Sequence, residues 1–174
     1  LKTTYRNLKR SGFCNGFTLG SHGEYFIERA STKNITFSYN SYGGHFVLGL
    51  IYSRVGGLEM ENTKVCHLHD LASIASVVED FQFFACEKWQ IASDKSGSGN
   101  TANIGSIKKI SDIIKGNGAF IDLGEKWFDD YWMNYGKITI PFKNRQGKTA
   151  TKKITNLREF LEYRKFRIEK SKSD

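Results

Sequence analysis

The stretch YGKITIPFKNRQGKTATKKITNLREFLEYRKFRIEK, residues 135–170, joins two strand-like segments to a helix-like one and so indicates the fold. Within it, Lys137–Lys143 alternates apolar and polar side chains, as a half-buried β-strand does, so Ile138, Ile140 and Phe142 are expected to face inward. A polar turn is predicted at Asn144–Lys148, and a second strand at Thr149–Thr155. Two short strands joined by such a turn are expected to pair as an antiparallel hairpin.

The segment after the second strand carries the start signal of a helix. Asn156 belongs to a residue type that caps helices well, and Glu159 lies three residues later, as in a capping box. The predicted inner stripe of this helix consists of Leu157, Phe160, Leu161 and Ile168. The hairpin is therefore expected to be followed by an amphipathic helix.

Upstream segments repeat this mixture of strand and helix patterns. Residues 34–41 alternate in polarity, whereas residues 45–54 are apolar almost throughout and predict a strand buried on both faces. Residues 81–93 alternate again. Helices are predicted at His69–Asp80, Gly105–Gly118 and Glu125–Gly136. The sequence thus predicts an α+β fold, with a mixed, mainly antiparallel sheet and three to four helices packed on it.

Size and composition indicate a globular chain. Its 174 residues fit one domain, and 13 Phe, 8 Tyr and 3 Trp can supply a core. We expect residues 1–174 to form a single domain that is a fragment of a longer chain, since the sequence starts at Leu1 rather than Met. No apolar run is long enough to span a membrane. The three scattered cysteines make no disulfide framework, so a reducing, cytoplasmic location is expected.

The formal charge of +8 is concentrated in one part of the chain. From Lys137 to Asp174 there are 12 basic and 4 acidic side chains, whereas residues 1–136 hold 14 of each. A local positive field attracts polyanions such as nucleic acids. The charge distribution therefore predicts a nucleic-acid partner, for which we expect double-stranded DNA, and no membrane partner.

The predicted hairpin carries cations that suit contacts with phosphates. A two-stranded ribbon fits a DNA major groove or lies along the backbone, where basic side chains displace counterions. The candidate phosphate-binding residues are Lys143, Arg145, Lys148, Lys152 and Lys153. The alternative is that these lysines only protect an exposed strand edge from pairing with another chain.

The segment Ser93–Ser106 is predicted to be a long polar loop, and long loops in compact domains are often functional. Its glycines would let the backbone approach a ligand, and Asn and Lys side chains can read adenine and guanine. The candidate base-contacting residues are Lys95, Ser98, Asn100 and Asn103. The alternative is a solvent-filled loop without a ligand.

Residues Tyr135–Ile140, followed by a basic turn with Gly147 and Lys148, resemble a C-terminal stretch of type II restriction endonucleases. Gly97–Ser106 also resembles the loops with which such enzymes contact bases. The resemblance implies an apolar strand that leads into a hairpin close to DNA. Because nothing like the catalytic core of that family is apparent, it implies the DNA-recognition part of a restriction-type enzyme, joined to a further domain or subunit of that enzyme.

A second interpretation is that the chain is itself a nuclease. His67 and His69 resemble the metal-binding pair of rolling-circle replication and relaxase nucleases. In those nucleases a tyrosine attacks DNA, and the candidates for that role in this chain are Tyr131 and Tyr135. An RNA-cleaving toxin domain would instead use histidines as acid and base, and the candidates are His22, His45, His67 and His69. The Glu-x-Lys pattern of metal-dependent nucleases does not occur, so we predict no metal and no cofactor, and we assign no residue as catalytic.

A third interpretation is a protein-interaction module. The aromatic run Trp127, Phe128, Tyr131 and Trp132 is expected to be core, but if exposed it would form a docking patch. The burial of Trp132 distinguishes these two outcomes.

Overall fold

A computed structural model describes most of the chain. The described residues are 12–14, 16–23, 41–55, 67–74, 76–98 and 101–171. The strand predicted at residues 34–41 lies mostly outside them.

Seven strands and three α-helices occupy the described residues. The strands are β1 (Thr18–Ser21), β2 (Phe46–Arg54), β3 (Val78–Glu87), β4 (Ala92–Ser98), β5 (Thr101–Ser106), β6 (Thr139–Lys143) and β7 (Thr149–Lys153). The α-helices are α1 (Ile110–Lys115), α2 (Glu125–Asn134) and α3 (Leu157–Ser171). Two short 3-10 helices span Leu68–Ser73 and Lys88–Ile91.

The strands form antiparallel sheets, and the predicted α+β class is confirmed. β1, β5 and β4 make a three-stranded sheet in that order. The pairs β2–β3 and β6–β7 each make a two-stranded ribbon. Within the described part of the chain, the mainly antiparallel sheet of the prediction is thus divided into three smaller ones.

Two predicted elements differ in type from the structure. The predicted polar loop Ser93–Ser106 is the β4–β5 hairpin, in which Ser96 pairs with Ile104. The predicted helix His69–Asp80 is replaced by a short 3-10 helix, and β3 begins at Val78. Asp80 has a φ of 55°, which is incompatible with a continuing right-handed helix.

The aromatic residues of α2 form the centre of the core. Trp132 and Phe128 are fully buried, and Tyr131 is 1 % exposed. They pack with residues of the neighbouring elements, namely Ala92, Ile104, Phe120, Ile154 and Phe160. The interpretation of this run as an exposed docking patch is therefore wrong. The core fixes the positions of the β4–β5 hairpin, the β6–β7 hairpin and α3 relative to one another.

The start of α3 matches the predicted cap. The Asn156 side chain accepts a hydrogen bond from the backbone N–H of Glu159 at 2.9 Å. Such a cap contributes about 1 kcal/mol to stability.

The helix α1 is shorter than α3. It has six residues and is capped at its C-terminus by Gly116, whose φ of 66° is left-handed. None of the described helices is both long and apolar enough to cross a membrane.

The β4–β5 hairpin depends on a close approach between its strands. A Cβ atom on Gly105 would lie 2.5 Å from the backbone oxygen of Lys95 and 3.0 Å from the backbone nitrogen of Gly97. Because both neighbours are backbone atoms, no side-chain movement can make room for a methyl group. Glycine is therefore required at position 105.

Candidate nucleic-acid interface

The β6–β7 ribbon separates an apolar face from a charged one. Ile140 pairs with Lys152 and Lys143 pairs with Thr149, so alternate residues face opposite sides. Ile138 and Ile140 pack against the core, as predicted. Lys143 and Lys153 lie on the other face, and both are exposed. Phe142, predicted to be buried, is 38 % exposed near the tip.

Asn144 organises the tip of this hairpin. Its side-chain oxygen accepts hydrogen bonds from the backbone N–H groups of Gln146 (3.0 Å) and Lys148 (2.9 Å). Gly147 has a φ of 76° and donates its backbone N–H to the Asn144 carbonyl at 2.9 Å. The turn is an Asx-type turn that presents the exposed side chains of Arg145 and Lys148 in a defined geometry.

Replacing Asn144 with alanine is expected to loosen the hairpin tip. Two side-chain hydrogen bonds are lost, which should lower the free energy of unfolding by about 1 kcal/mol at this exposed site. Urea denaturation measures the change. Asn144→Asp keeps the oxygen that accepts both hydrogen bonds and is the matched control. A stability loss in Asn144→Asp equal to that in Asn144→Ala would contradict the Asx-turn interpretation.

The candidate cations differ in how far carboxylates neutralise them. Lys152 forms an ion pair with Glu159 of α3. In the described part of the chain, no carboxylate pairs with the other candidate cations of the hairpin, which are Lys143, Arg145, Lys148 and Lys153. The α3 cations Arg158 and Arg164 are paired with Glu162 and Asp130. Among the candidate phosphate-binding residues, the uncompensated positive charge therefore lies on the four cations of the ribbon and its tip.

The candidate base-contacting residues lie along the β4–β5 hairpin. Lys95 is exposed on β4. Asn103 is half-buried on β5, and its backbone oxygen accepts a hydrogen bond from the Ser96 hydroxyl at 3.0 Å. Ser98 ends β4 and pairs with Thr101. Asn100 lies outside the described residues. The structure thus brings Lys95, Ser98 and Asn103 onto one hairpin.

Asp94 connects the β4–β5 hairpin to the rest of the candidate interface. Its carboxylate accepts a hydrogen bond from the backbone N–H of Leu157 at 3.3 Å, in the first turn of α3. Its backbone oxygen accepts one from the Tyr131 hydroxyl at 2.5 Å. Burial raises the pKa of Tyr131 well above its ordinary value, so the phenol stays a donor. The hairpin is therefore held to both α2 and α3.

Sequence reasoning missed two lysines next to Lys95. A groove of about 610 Å³ runs beside the β4–β5 hairpin, and its lining includes Lys95, Lys108 and Lys109. Lys109 forms a 3.3 Å ion pair with Asp112, whereas Lys108 is exposed. The adjacent Lys-Lys was the available signal, but the predicted helix over Gly105–Gly118 placed it on a helix surface. Both residues precede α1 instead.

A buried lysine begins the 3-10 helix Lys88–Ile91, between β3 and β4. Lys88 is 6 % exposed, and burial lowers its pKa to about 8, although nearby Asp129 opposes the shift. Burial also raises the pKa of the Asp129 carboxyl to about 6, an effect that Glu125 reinforces and Lys88 opposes. Both side chains are thus less easily charged than in water, and the electrostatic attraction between them depends on pH.

We expect the Asp129 carboxyl to make the stability pH-dependent between pH 4 and 6. Its folded-state pKa of about 6 exceeds the ordinary 3.8, so the folded state binds the proton more tightly than the unfolded state. Its contribution is therefore largest below pH 4 and declines as the pH rises to 6. After allowance for solvent screening, the decline should be about 1 kcal/mol.

Asp129→Asn removes this titration and provides the comparison. Urea denaturation from pH 4 to 7 measures the free energy of unfolding of the unmodified chain and of Asp129→Asn. As the pH rises, the unmodified chain should lose stability relative to the variant. The same comparison with Asp122→Asn, an exposed carboxyl, should stay level. A constant difference for Asp129→Asn would refute the assignment.

The alternative catalytic residues lie in different surroundings. Tyr131 is buried and bonded to the Asp94 carbonyl, so it is not placed to attack DNA. His67 and His69 stack on each other at 5.4 Å on the surface, whereas His22 packs against both Trp132 and Tyr135. Burial, with a smaller contribution from Lys137, lowers the pKa of His22. Among the described residues, no three histidine, cysteine or carboxylate side chains form a group that could hold a metal ion.

Comparison with known proteins gives consistent matches. The family model described as restriction endonuclease EcoRV matches residues 1–165. The type II restriction enzyme EcoRV of Escherichia coli is 36 % identical over 140 residues, which cover 80 % of this chain and 54 % of that enzyme. The chain thus spans about half the length of the curated relative that it matches.

Proposed function

Because the chain belongs to the EcoRV restriction endonuclease family, we propose that it is the DNA-recognition part of a restriction-type enzyme. Its substrate would be double-stranded DNA. The β6–β7 hairpin would hold the DNA backbone, and the β4–β5 hairpin would read bases. The observation that carries this proposal is the group of unneutralised cations on the β6–β7 hairpin.

The phosphate contacts are assigned to the exposed cations of this hairpin. Lys143 and Lys153 share the solvent face of the ribbon, and Arg145 and Lys148 extend from its tip. Because no carboxylate in the described residues neutralises them, they keep their full charge for a polyanion. Lys152 has a weaker role, since Glu159 already holds its ammonium group. Such contacts position the protein without reading sequence.

Base contacts are assigned to the β4–β5 hairpin. A two-stranded hairpin is narrow enough to enter a major groove, and Lys and Asn are the side chains that pair with guanine and adenine edges. Lys95, Ser98, Asn100 and Asn103 are the proposed readers. The links from Asp94 to α2 and α3 support this role because base reading needs a rigidly placed hairpin.

Replacing Asn100 with alanine is expected to reduce discrimination between sequences without abolishing binding. Loss of one paired base contact should cost about 1–3 kcal/mol for the preferred sequence and little for others. Competition binding with a library of short duplexes measures both. Asn117→Ala changes an exposed asparagine at the end of α1 and serves as the control. If Asn100→Ala weakened binding equally for all duplexes, the assignment to base reading would fail.

A second candidate function is DNA cleavage by this chain itself. Membership of a restriction endonuclease family favours it. The test is incubation of the purified chain with supercoiled duplex DNA, with and without Mg²⁺ or Mn²⁺. Linear or nicked products that depend on the chain would establish a nuclease. Binding without products would support the recognition part alone.

A further inference from the structure

One face of the β2–β3 ribbon is apolar and exposed. The register pairs Leu48 with Ala85 and Leu50 with Phe83, so these side chains share a face with Phe46. Leu48 is 80 % exposed, Phe83 75 % and Phe46 67 %. A contiguous apolar surface of this kind is rare on a protein that stays alone in water, and it marks a contact site.

The opposite face of the ribbon is already packed. Val47, Phe84 and Cys86 lie there and join the cluster around Ile91 and Ile113. Phe84 also lies against β2, since a Cβ atom on Gly49 would be 1.8 Å from its ring. The ribbon therefore cannot hide its exposed face by turning over, because that would uncover the packed one.

The sequence pattern indicates that the exposed face has a partner. An apolar run such as that of β2 is typical of strands buried on both faces, but within the described residues only one face is covered. A ribbon of two strands is also marginal without a further layer. The ribbon thus has the composition of strands that are buried on both faces, although one of its faces is exposed.

The chemistry of the face selects the class of partner. Its described members are apolar except Glu87, whose carboxylate accepts a hydrogen bond from the indole N–H of Trp89. Among the side chains that the structure describes, this face carries no lysine or arginine, whereas the cations proposed to contact phosphates lie on the β6–β7 hairpin. A nucleic acid does not fit here, whereas an apolar polypeptide surface does.

We propose that this face docks the part of the restriction enzyme that lies outside the matched segment. A little under half of the E. coli relative has no counterpart in the match, so an enzyme of this family has that much additional polypeptide to cover the ribbon. The partner covers Phe46, Leu48, Leu50, Phe81 and Phe83 with an apolar helix or sheet face. The surface is separate from the proposed DNA contacts.

Coexpression tests this assignment. The 174-residue chain is produced together with a tagged polypeptide made of the unmatched residues of the E. coli enzyme, and copurification and affinity are measured. The unmodified chain should copurify, and Leu48→Lys should weaken the association by about tenfold or more, since it places a charge in an apolar contact. Leu68→Lys is the matched control, because Leu68 is 85 % exposed but lies outside the ribbon.

Three outcomes would overturn the proposal. The first is that the chain fails to copurify with the tagged polypeptide. The second is that Leu48→Lys and the unmodified chain bind that polypeptide with equal affinity. The third is that the chain alone self-associates and that Leu48→Lys abolishes this self-association. The last would identify a second copy as the occupant. Thermal unfolding checks that each variant folds, and Phe83→Gln replaces Leu48→Lys if that variant does not. DNA affinity is measured in parallel, so failure of the DNA proposal is seen separately.

Discussion

A chain in which Lys143, Arg145 and Lys148 are all replaced by glutamine is expected to lose about a hundredfold in affinity for duplex DNA near 0.1 M salt. Each phosphate contact that disappears also removes counterion release, so the slope of log affinity against log salt should flatten by up to about 2.7. The loss should be the same for all sequences. Fluorescence anisotropy with labelled duplexes at several salt concentrations measures all three quantities.

The control for this variant changes the net charge equally but elsewhere. Lys115→Gln, Lys126→Gln and Arg158→Gln remove three charges from exposed helix positions. If affinity depends on the hairpin, the control should bind almost as tightly as the unmodified chain. Equal losses in the two triple variants would mean that only the overall charge matters, and the hairpin would lose its assignment.

Gly105→Ala is expected to disrupt the β4–β5 hairpin. The added Cβ atom would lie 2.5 Å from the Lys95 backbone oxygen, so the two strands must move apart. Overpacking of this kind lowers the free energy of unfolding by about 1–3 kcal/mol. Because the proposed base readers Lys95, Ser98 and Asn103 lie on these strands, discrimination between duplexes should fall, while the salt dependence that arises from the β6–β7 hairpin is retained.

Gly43→Ala is the matched control, since nothing lies within 4 Å of a Cβ atom at that position. It should leave stability and discrimination unchanged. Chemical denaturation and competition binding are measured on both variants. Retention of full discrimination in Gly105→Ala, despite a loss of stability, would show that bases are read elsewhere.

The elements that the sequence predicts well have local signals. The first strand of the β6–β7 hairpin alternates in polarity, and the side chain of Asn156 supplies the cap of α3. The β4–β5 hairpin has no such signal, because its Ser, Gly and Asn residues are typical of loops. Backbone pairing and the close approach at Gly105 hold it instead, and both depend on packing in three dimensions.

The candidate site likewise combines features that the sequence predicts with contacts that only the folded chain shows. Sequence reasoning identified the cations of the basic hairpin, since their charge and spacing are visible in the chain. It did not anticipate that Lys152 is held by Glu159, because that contact depends on how α3 packs against β7. It also did not associate Lys108 with Lys95, since only the folded β5–α1 connection brings them to one groove.

The two hydrogen bonds of Asp94 have a consequence for engineering. Through them, one residue ties β4 to a phenol of α2 and to a backbone amide of α3, immediately before Lys95. A β4–β5 segment transplanted from another enzyme to change target preference would therefore be seated correctly only if it carried an acceptor side chain at that position. Replacements that begin after Asp94 should preserve the position of the hairpin, whereas replacements that include Asp94 should displace the hairpin from α2 and α3.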